Sequence, residues 1–89
     1  MNYWKSEFKY MEETKSIESA IGKAIKAERK RQGLTQEQLG ERMGIQKARV
    51  SKIESGKNIS YSTVNRTFKA LGATSATLDL GDMGRIALW

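Results

Sequence analysis

Gln46, Lys47, Arg49 and Lys52 are four long, nitrogen-bearing side chains packed into seven consecutive positions. If this stretch is a helix, Val50 and Ile53 turn inward and the four donors stay outside. A short helix of that polarity has the dimensions to lie in a DNA major groove, whose base edges offer matching acceptors and donors. Gln36 opens an earlier short helix, where unpaired backbone N–H groups and the helix dipole favour a phosphate. Lys57 and Asn58, just past the second helix, are placed to touch a sugar–phosphate backbone. Other chemistry is poorly supplied. The chain has no cysteine and no histidine, hence no disulfide framework, thiol nucleophile, zinc finger or imidazole base. Glu12 and Glu13 read as surface charge. No phosphate-cradling glycine loop is present, so no enzyme, cofactor or metal is expected.

Several elements must hold these residues in place. Thr35 is a good N-cap, and Gln38 three residues on completes a capping box. Leu39 and Met43 share one helical face, Gly44 suits the positive φ of a helix end, and Ile45 plugs the angle before the next helix. That helix is expected from about Gln46 to Ser55, closed by Gly56. Two helices and a tight turn of this kind form a helix-turn-helix. Ile17, Ala20, Ile21, Ala24 and Ile25 recur at helical spacing, predicting a first helix from about Ile17 to Gln32 that lays its apolar stripe over Leu39, Met43, Val50 and Ile53. Ser60 should cap a fourth helix carrying Val64, Phe68 and Leu71, ending at Gly72. Beyond it, Ala76–Leu80 alternates apolar and polar residues, Gly81–Gly84 reads as a turn, and Arg85–Trp89 is a second strand-like run.

The pattern Thr35-Gln36, Leu39-Gly40, Met43-Gly44-Ile45, Val50-Ser51 and Ile53-Glu54-Ser55-Gly56 resembles the Xre family of bacterial helix-turn-helix proteins, which includes the phage repressors and Cro. The resemblance runs from about Ile21 to Gly72. It implies a mainly α, lambda-repressor-like bundle of four to five helices, here ending in a short β segment or hairpin where the phage repressors have a fifth helix. It further implies that Gln46, Lys47, Ala48 and Lys52 occupy base-contacting positions, with Arg49 beside them for a base or a phosphate. Gln36 would fix the protein on the backbone. Arg29 and Glu54 match a pair that forms a partly buried salt bridge in the phage repressors.

Charge is distributed to suit such a partner. Of a net +6, residues 22–72 carry 12 Lys or Arg against 4 acids, whereas residues 1–21 and 73–89 each sum to −1. The basic excess therefore coincides with the helix-turn-helix, as a phosphate-binding surface requires. The Lys26–Arg31 cluster is readable either as a solvated helix face or as a DNA-backbone contact. No apolar run is long enough for a membrane span and no secretory signal opens the chain, so the cytoplasm is the expected compartment.

The two ends point to protein partners. A two-stranded hairpin has open edges and little stability of its own. Residues 73–89 are therefore expected to dimerise the chain, with Leu78, Leu80, Ile86, Leu88 and Trp89 as contacts. A homodimer suits a palindromic operator on double-stranded DNA. The arm of residues 1–16, read as an extension with possible helical character, gathers Tyr3, Trp4 and Phe8, the residue types of interface anchors. Trp4 and Phe8 can serve a partner or pack back on the first helix. Arm, helix-turn-helix at 17–72 and β-like tail together resemble the HigA kind of type II antitoxin, whose partner is a RelE/HigB-like toxin. That resemblance implies a repressor that neutralises its toxin and silences their shared promoter. The alternative is a stand-alone Xre-type regulator with no toxin partner.

Overall fold

Local signals account for most helix ends. The computed structural model describes the backbone of residues 3–89 and the side chains of residues 17–89. Helix α1 runs Tyr3–Arg31, α2 Gln36–Met43, α3 Lys47–Glu54 and α4 Tyr61–Ala70. Strands β1, Thr77–Asp79, and β2, Arg85–Ala87, follow and flank a short 3₁₀ turn at Gly81–Met83. The α2 N-terminus is closed reciprocally: Gln38 N–H donates to Thr35 Oγ1 at 3.0 Å and Thr35 N–H to Gln38 Oε1 at 2.8 Å. Gly44 ends α2 in the left-handed region at φ 70°, and Ile45 N–H returns to Gly40 C=O at 2.9 Å. Ser60 caps α4 by accepting from Thr63 N–H.

One core joins the four helices. Ile25 of α1, Leu39 of α2, Val50 and Ile53 of α3, and Leu71 after α4 are buried together, with Met43, Ile45, Ile59 and Phe68 packed around them. Fully burying each such aliphatic side chain contributes about 1.5–3 kcal/mol before chain entropy is charged. Thr67 is buried with them and gives its hydroxyl to Thr63 C=O. Two close backbone approaches set the geometry. A Cβ on Gly40 would lie 2.6 Å from Ile45 C=O, so only glycine lets α2 fold this tightly onto the turn. A Cβ on Gly22 would lie 2.5 Å from Glu54 C=O and 2.8 Å from Gly56 N, so α1 crosses the end of α3 nearly backbone to backbone.

The first-helix stripe needs correction. Ile25 is at the centre of the core and Ile21 borders it, but Ile17, Ala20 and Ala24 are exposed, Ile17 by 60%. The reason is geometric: the face that α1 buries is centred on Gly22, Ile25 and Arg29, and at 100° per residue Ile17, Ala20 and Ala24 fall to one side of it.

The tail forms a hairpin within one chain. β1 and β2 pair antiparallel with Thr77 opposite Ala87, Leu78 opposite Ile86 and Asp79 opposite Arg85. Further bonds extend the ladder on both sides, Leu88 N–H to Ala76 C=O at 2.8 Å and Leu80 N–H to Gly84 C=O at 2.8 Å. Its far end docks on α4: Tyr61 donates its hydroxyl to Leu88 C=O at 3.1 Å, and Lys69 Nζ sits 5.6 Å from the centre of the Trp89 ring.

Candidate nucleic-acid interface

The polar face of α3 stands clear of the core that holds its other side. Val50 and Ile53 are buried at 1% and 2% exposure, whereas Lys47, Ala48, Arg49 and Lys52 are all exposed. Gln46 is the N-cap of α3 and not its first helical residue; its extended backbone leaves the side chain outside the helix barrel. An open groove of about 580 Å³ is lined by Gly44, Ile45, Gln46, Ala48, Arg49, Lys52 and Asn58. Five of the residues singled out from the sequence thus meet on one concave surface, with exposed Lys47 flanking it. Asn58 holds a positive φ of 58°, a conformation that asparagine tolerates and that turns the chain sharply after α3. Exposed Lys57 precedes it.

Beneath this surface lies a buried polar cluster. Arg29 Nε donates to Glu54 Oε2 at 2.6 Å and Nη2 to Oε1 at 3.1 Å, a two-pronged pairing of α1 with the last turn of α3. Arg29 also donates from Nη1 to Leu34 C=O at 2.7 Å, so it spans three segments. Burial alone would raise the Glu54 pKa. The hydrogen bonds from Arg29 and Gln36, with the charges of Arg29 and Lys26, outweigh it and hold the carboxyl below the ordinary carboxylate range.

Gln36 has a second tie that spacing did not reveal. Its Nε2 donates to Glu54 Oε1 at 3.1 Å, fastening the first turn of α2 to the last turn of α3. One amide hydrogen is thus committed to the protein, and the other hydrogen and the backbone N–H groups of the α2 N-terminus are what Gln36 can offer a phosphate.

Several arginines serve the protein itself. Arg42 of α2 donates to Ala70 C=O at the end of α4, and Arg66 of α4 donates to Met43 C=O at the end of α2, a reciprocal capping that locks the two helices. Arg31 pairs with Glu28 and, with Gln32, brings that half-buried carboxylate down to about pKa 2. The Lys26–Arg31 cluster therefore divides. Arg29 and Arg31 are engaged, whereas Lys26 and Lys30 are exposed and have no salt-bridge partner among the described residues.

The remaining expected contacts fall elsewhere. Leu78 and Ile86 are exposed on the hairpin, while Leu80, Leu88 and Trp89 are half-buried. The side chains of Trp4 and Phe8 lie outside the described residues. Among the described residues no cluster of acids suits a metal ion, and no helix is long and apolar enough to cross a membrane.

A helix-turn-helix family model matches residues 25–78, more than half of the chain, including the end of α1 and the whole of α2, α3 and α4. No curated protein is similar enough to register as a match. The match agrees with the geometry at each level, from the capped α2 and the tight turn to an exposed basic α3 over a sealed core. This chain belongs to the helix-turn-helix family of Xre/Cro-like DNA-binding transcription regulators.

Proposed function

We propose that the protein is a sequence-specific repressor that binds a palindromic operator and acts as the antitoxin of a type II toxin–antitoxin pair, neutralising a RelE/HigB-like toxin and silencing their shared promoter. The observation that carries the DNA half is the exposed face of α3, where Gln46, Lys47, Ala48, Arg49 and Lys52 stand over an open groove while Val50 and Ile53 anchor the helix. Lysine or arginine there can donate to guanine O6 and N7, glutamine can pair with adenine, and the Ala48 methyl can meet a thymine methyl. Gln36, Lys57 and Asn58 frame that face with groups suited to phosphates. In this reading they position the protein and α3 specifies the site.

The antitoxin half rests on the layout at the two ends. A helical α1 that extends beyond the domain carries Tyr3, Trp4 and Phe8, residue types that anchor interfaces, and the chain closes with a hairpin. Growth of cells expressing each neighbouring open reading frame, alone and with this protein, tests it. A neighbour that arrests growth and is rescued by this protein supports the antitoxin. If no neighbour is toxic, the protein acts as a stand-alone regulator, and DNA binding by α3 remains to be judged by its own steep salt dependence.

A further inference from the structure

The hydrogen bond from Gln36 to Glu54 joins the two parts of the DNA-facing surface. Gln36 opens α2, and Glu54 closes α3, whose outer face carries Lys47, Ala48 and Lys52. Gln36 Nε2 donates to Glu54 Oε1 at 3.1 Å, the one side-chain hydrogen bond between these two helices among the described residues. Its acceptor is fixed from several directions. The Glu54 side chain is 3% exposed. Arg29 Nε holds Oε2 at 2.6 Å and Arg29 Nη2 holds Oε1 at 3.1 Å. The same guanidinium reaches Leu34 C=O, one residue before the Thr35 cap. The Glu54 backbone is confined as well, because α1 passes it closely at Gly22.

Burial does not call for this bond. Gln36 is half-buried, so water can serve its amide, and Arg29 already gives the carboxylate a charge partner. What the bond removes is freedom, since a long, flexible side chain is held in one arrangement. Nε2 keeps a second hydrogen for a phosphate. The backbone N–H groups of Gln36 and Glu37 have no acceptor within α2, whereas Thr35 Oγ1 caps Gln38 N–H. A phosphate gripped by this group lies at a set distance from the α3 face only if Gln36 is itself set.

We propose that Glu54 is a positioning residue for DNA binding: through Gln36 it fixes the phosphate grip at the start of α2 relative to the reading face of α3. Glu54 touches no DNA itself, and its role rests on the DNA-binding reading above. Charge and position act in opposite directions here. A carboxylate close to phosphates repels them, so by charge alone its removal strengthens binding. By position its removal weakens binding. In Glu54→Gln a single amide oxygen replaces two carboxylate oxygens, and the charged Arg29 guanidinium takes it. The amide nitrogen then meets Gln36 Nε2 donor to donor, which releases Gln36 while keeping the size of the buried side chain.

Fluorescence anisotropy of a labelled short duplex of mixed sequence tests this with the full chain at low salt, each variant being checked for folding by circular dichroism. Glu54→Gln is expected to bind roughly threefold to tenfold more weakly than the wild type, the cost of ordering one side chain that the wild type holds ready. Its salt slope should be no shallower, because no phosphate loses a cation. Gln36→Asn leaves the buried Arg29–Glu54 pair intact and keeps an amide, but is one methylene too short to span both partners. It is expected to melt like the wild type and to bind as weakly as Gln36→Ala. Wild-type or tighter binding by folded Glu54→Gln, or wild-type binding by Gln36→Asn, overturns the positioning role. If Glu54→Gln does not fold, the comparison of Gln36→Asn with Gln36→Ala decides alone. A wild type that binds no duplex at low salt overturns the DNA-binding reading itself, whereas duplex binding indifferent to these substitutions overturns the positioning role alone.

Discussion

Replacing Gly22 by alanine places the first methyl group at the crossing of α1 and α3, where no side chain can move aside. The new Cβ would lie 2.5 Å from Glu54 C=O, 2.8 Å from Ile53 C=O and 2.8 Å from Gly56 N, all backbone atoms. Restoring ordinary contact at 3.4 Å requires the two helices to part by about 0.9 Å along the shortest line. That movement also loosens the Arg29–Glu54 pair two turns further along α1. Overpacking a rigid contact costs about 3 kcal/mol at the upper end of the usual range. Alanine recovers about 1 kcal/mol over glycine inside a helix. The net loss is about 2 kcal/mol, equivalent to a melting temperature lower by roughly 8–16 °C in a domain of this size. Thermal melting followed by circular dichroism reads it, with Ala27→Gly on the exposed side of α1 calibrating the propensity contribution. A Gly22→Ala protein that melts at or above the wild-type temperature refutes the close approach and the reasoning built on it.

Glu54→Ala leaves Arg29 buried without its partner and is expected to cost about 3–5 kcal/mol in chemical denaturation. Because the Glu54 pKa is depressed in the folded state, its contribution is complete above the ordinary carboxylate range and is lost as pH falls through the folded value. Stability should therefore drop on acidification below about pH 4, the unfolded carboxylate range, and Glu54→Gln should flatten that part of the profile; an unchanged profile contradicts the pairing. For DNA, Lys47→Ala should cost about 1–3 kcal/mol at particular base pairs, whereas Gln36→Ala should weaken all sites alike. If Glu54 acts on binding by holding Gln36, adding Glu54→Gln to Gln36→Ala should lower affinity no further in gel-shift titrations of folded protein; additive losses would show that the two act independently.

What the sequence disclosed is what depends on neighbours a few residues apart. Thr35 and Gln38 form the capping box, Gly44 takes the left-handed turn, and Ser60 caps α4, because capping is settled within one helical turn. The core residues Leu39, Val50 and Ile53 were readable from periodicity for the same reason. Ile17, Ala20 and Ala24 fit that period equally well yet are exposed, since the face that α1 buries is the neighbouring one centred on Gly22, Ile25 and Arg29, and a period does not say which edge of an apolar stripe is covered. Partners distant in sequence were beyond the reach of local reading, and the Arg29–Glu54 pair was expected only through the family resemblance. Nothing local marks Arg42 as bound to Ala70 or Arg66 as bound to Met43, 28 and 23 residues away, or joins Gln36 to Glu54. The exposed basic face of α3 was legible because it lies on one short helix whose inner face is fixed by Val50 and Ile53.

Those distant partners change how the basic charge is counted. Of the twelve cations in residues 22–72, Arg29, Arg31, Arg42, Arg66 and Lys69 are engaged with carboxylates, carbonyls or the Trp89 ring. Seven exposed ones remain without such partners among the described residues: Lys47, Arg49, Lys52 and Lys57 around α3, and Lys23, Lys26 and Lys30 on α1. The α1 three lie at helical spacing on one side, and Lys26 is close enough to Glu54 to act on its ionisation. That side of α1 thus faces the same end of α3 as Gln36. Each phosphate neutralised contributes about −0.9 to the slope of log affinity against log salt, so the α3 group alone gives about −4 per copy and all seven give about −6. Lys26→Ala distinguishes the two cases: a slope shallower by about 1 extends the footprint onto α1, and an unchanged slope confines it to α3 and its flanks. Arg66→Ala is the control, expected to lower the melting temperature through the lost α2 cap and to leave the slope alone. A slope that falls with Arg66→Ala would mean that this arginine leaves Met43 for a phosphate, and the division between structural arginines and DNA-facing lysines would fail.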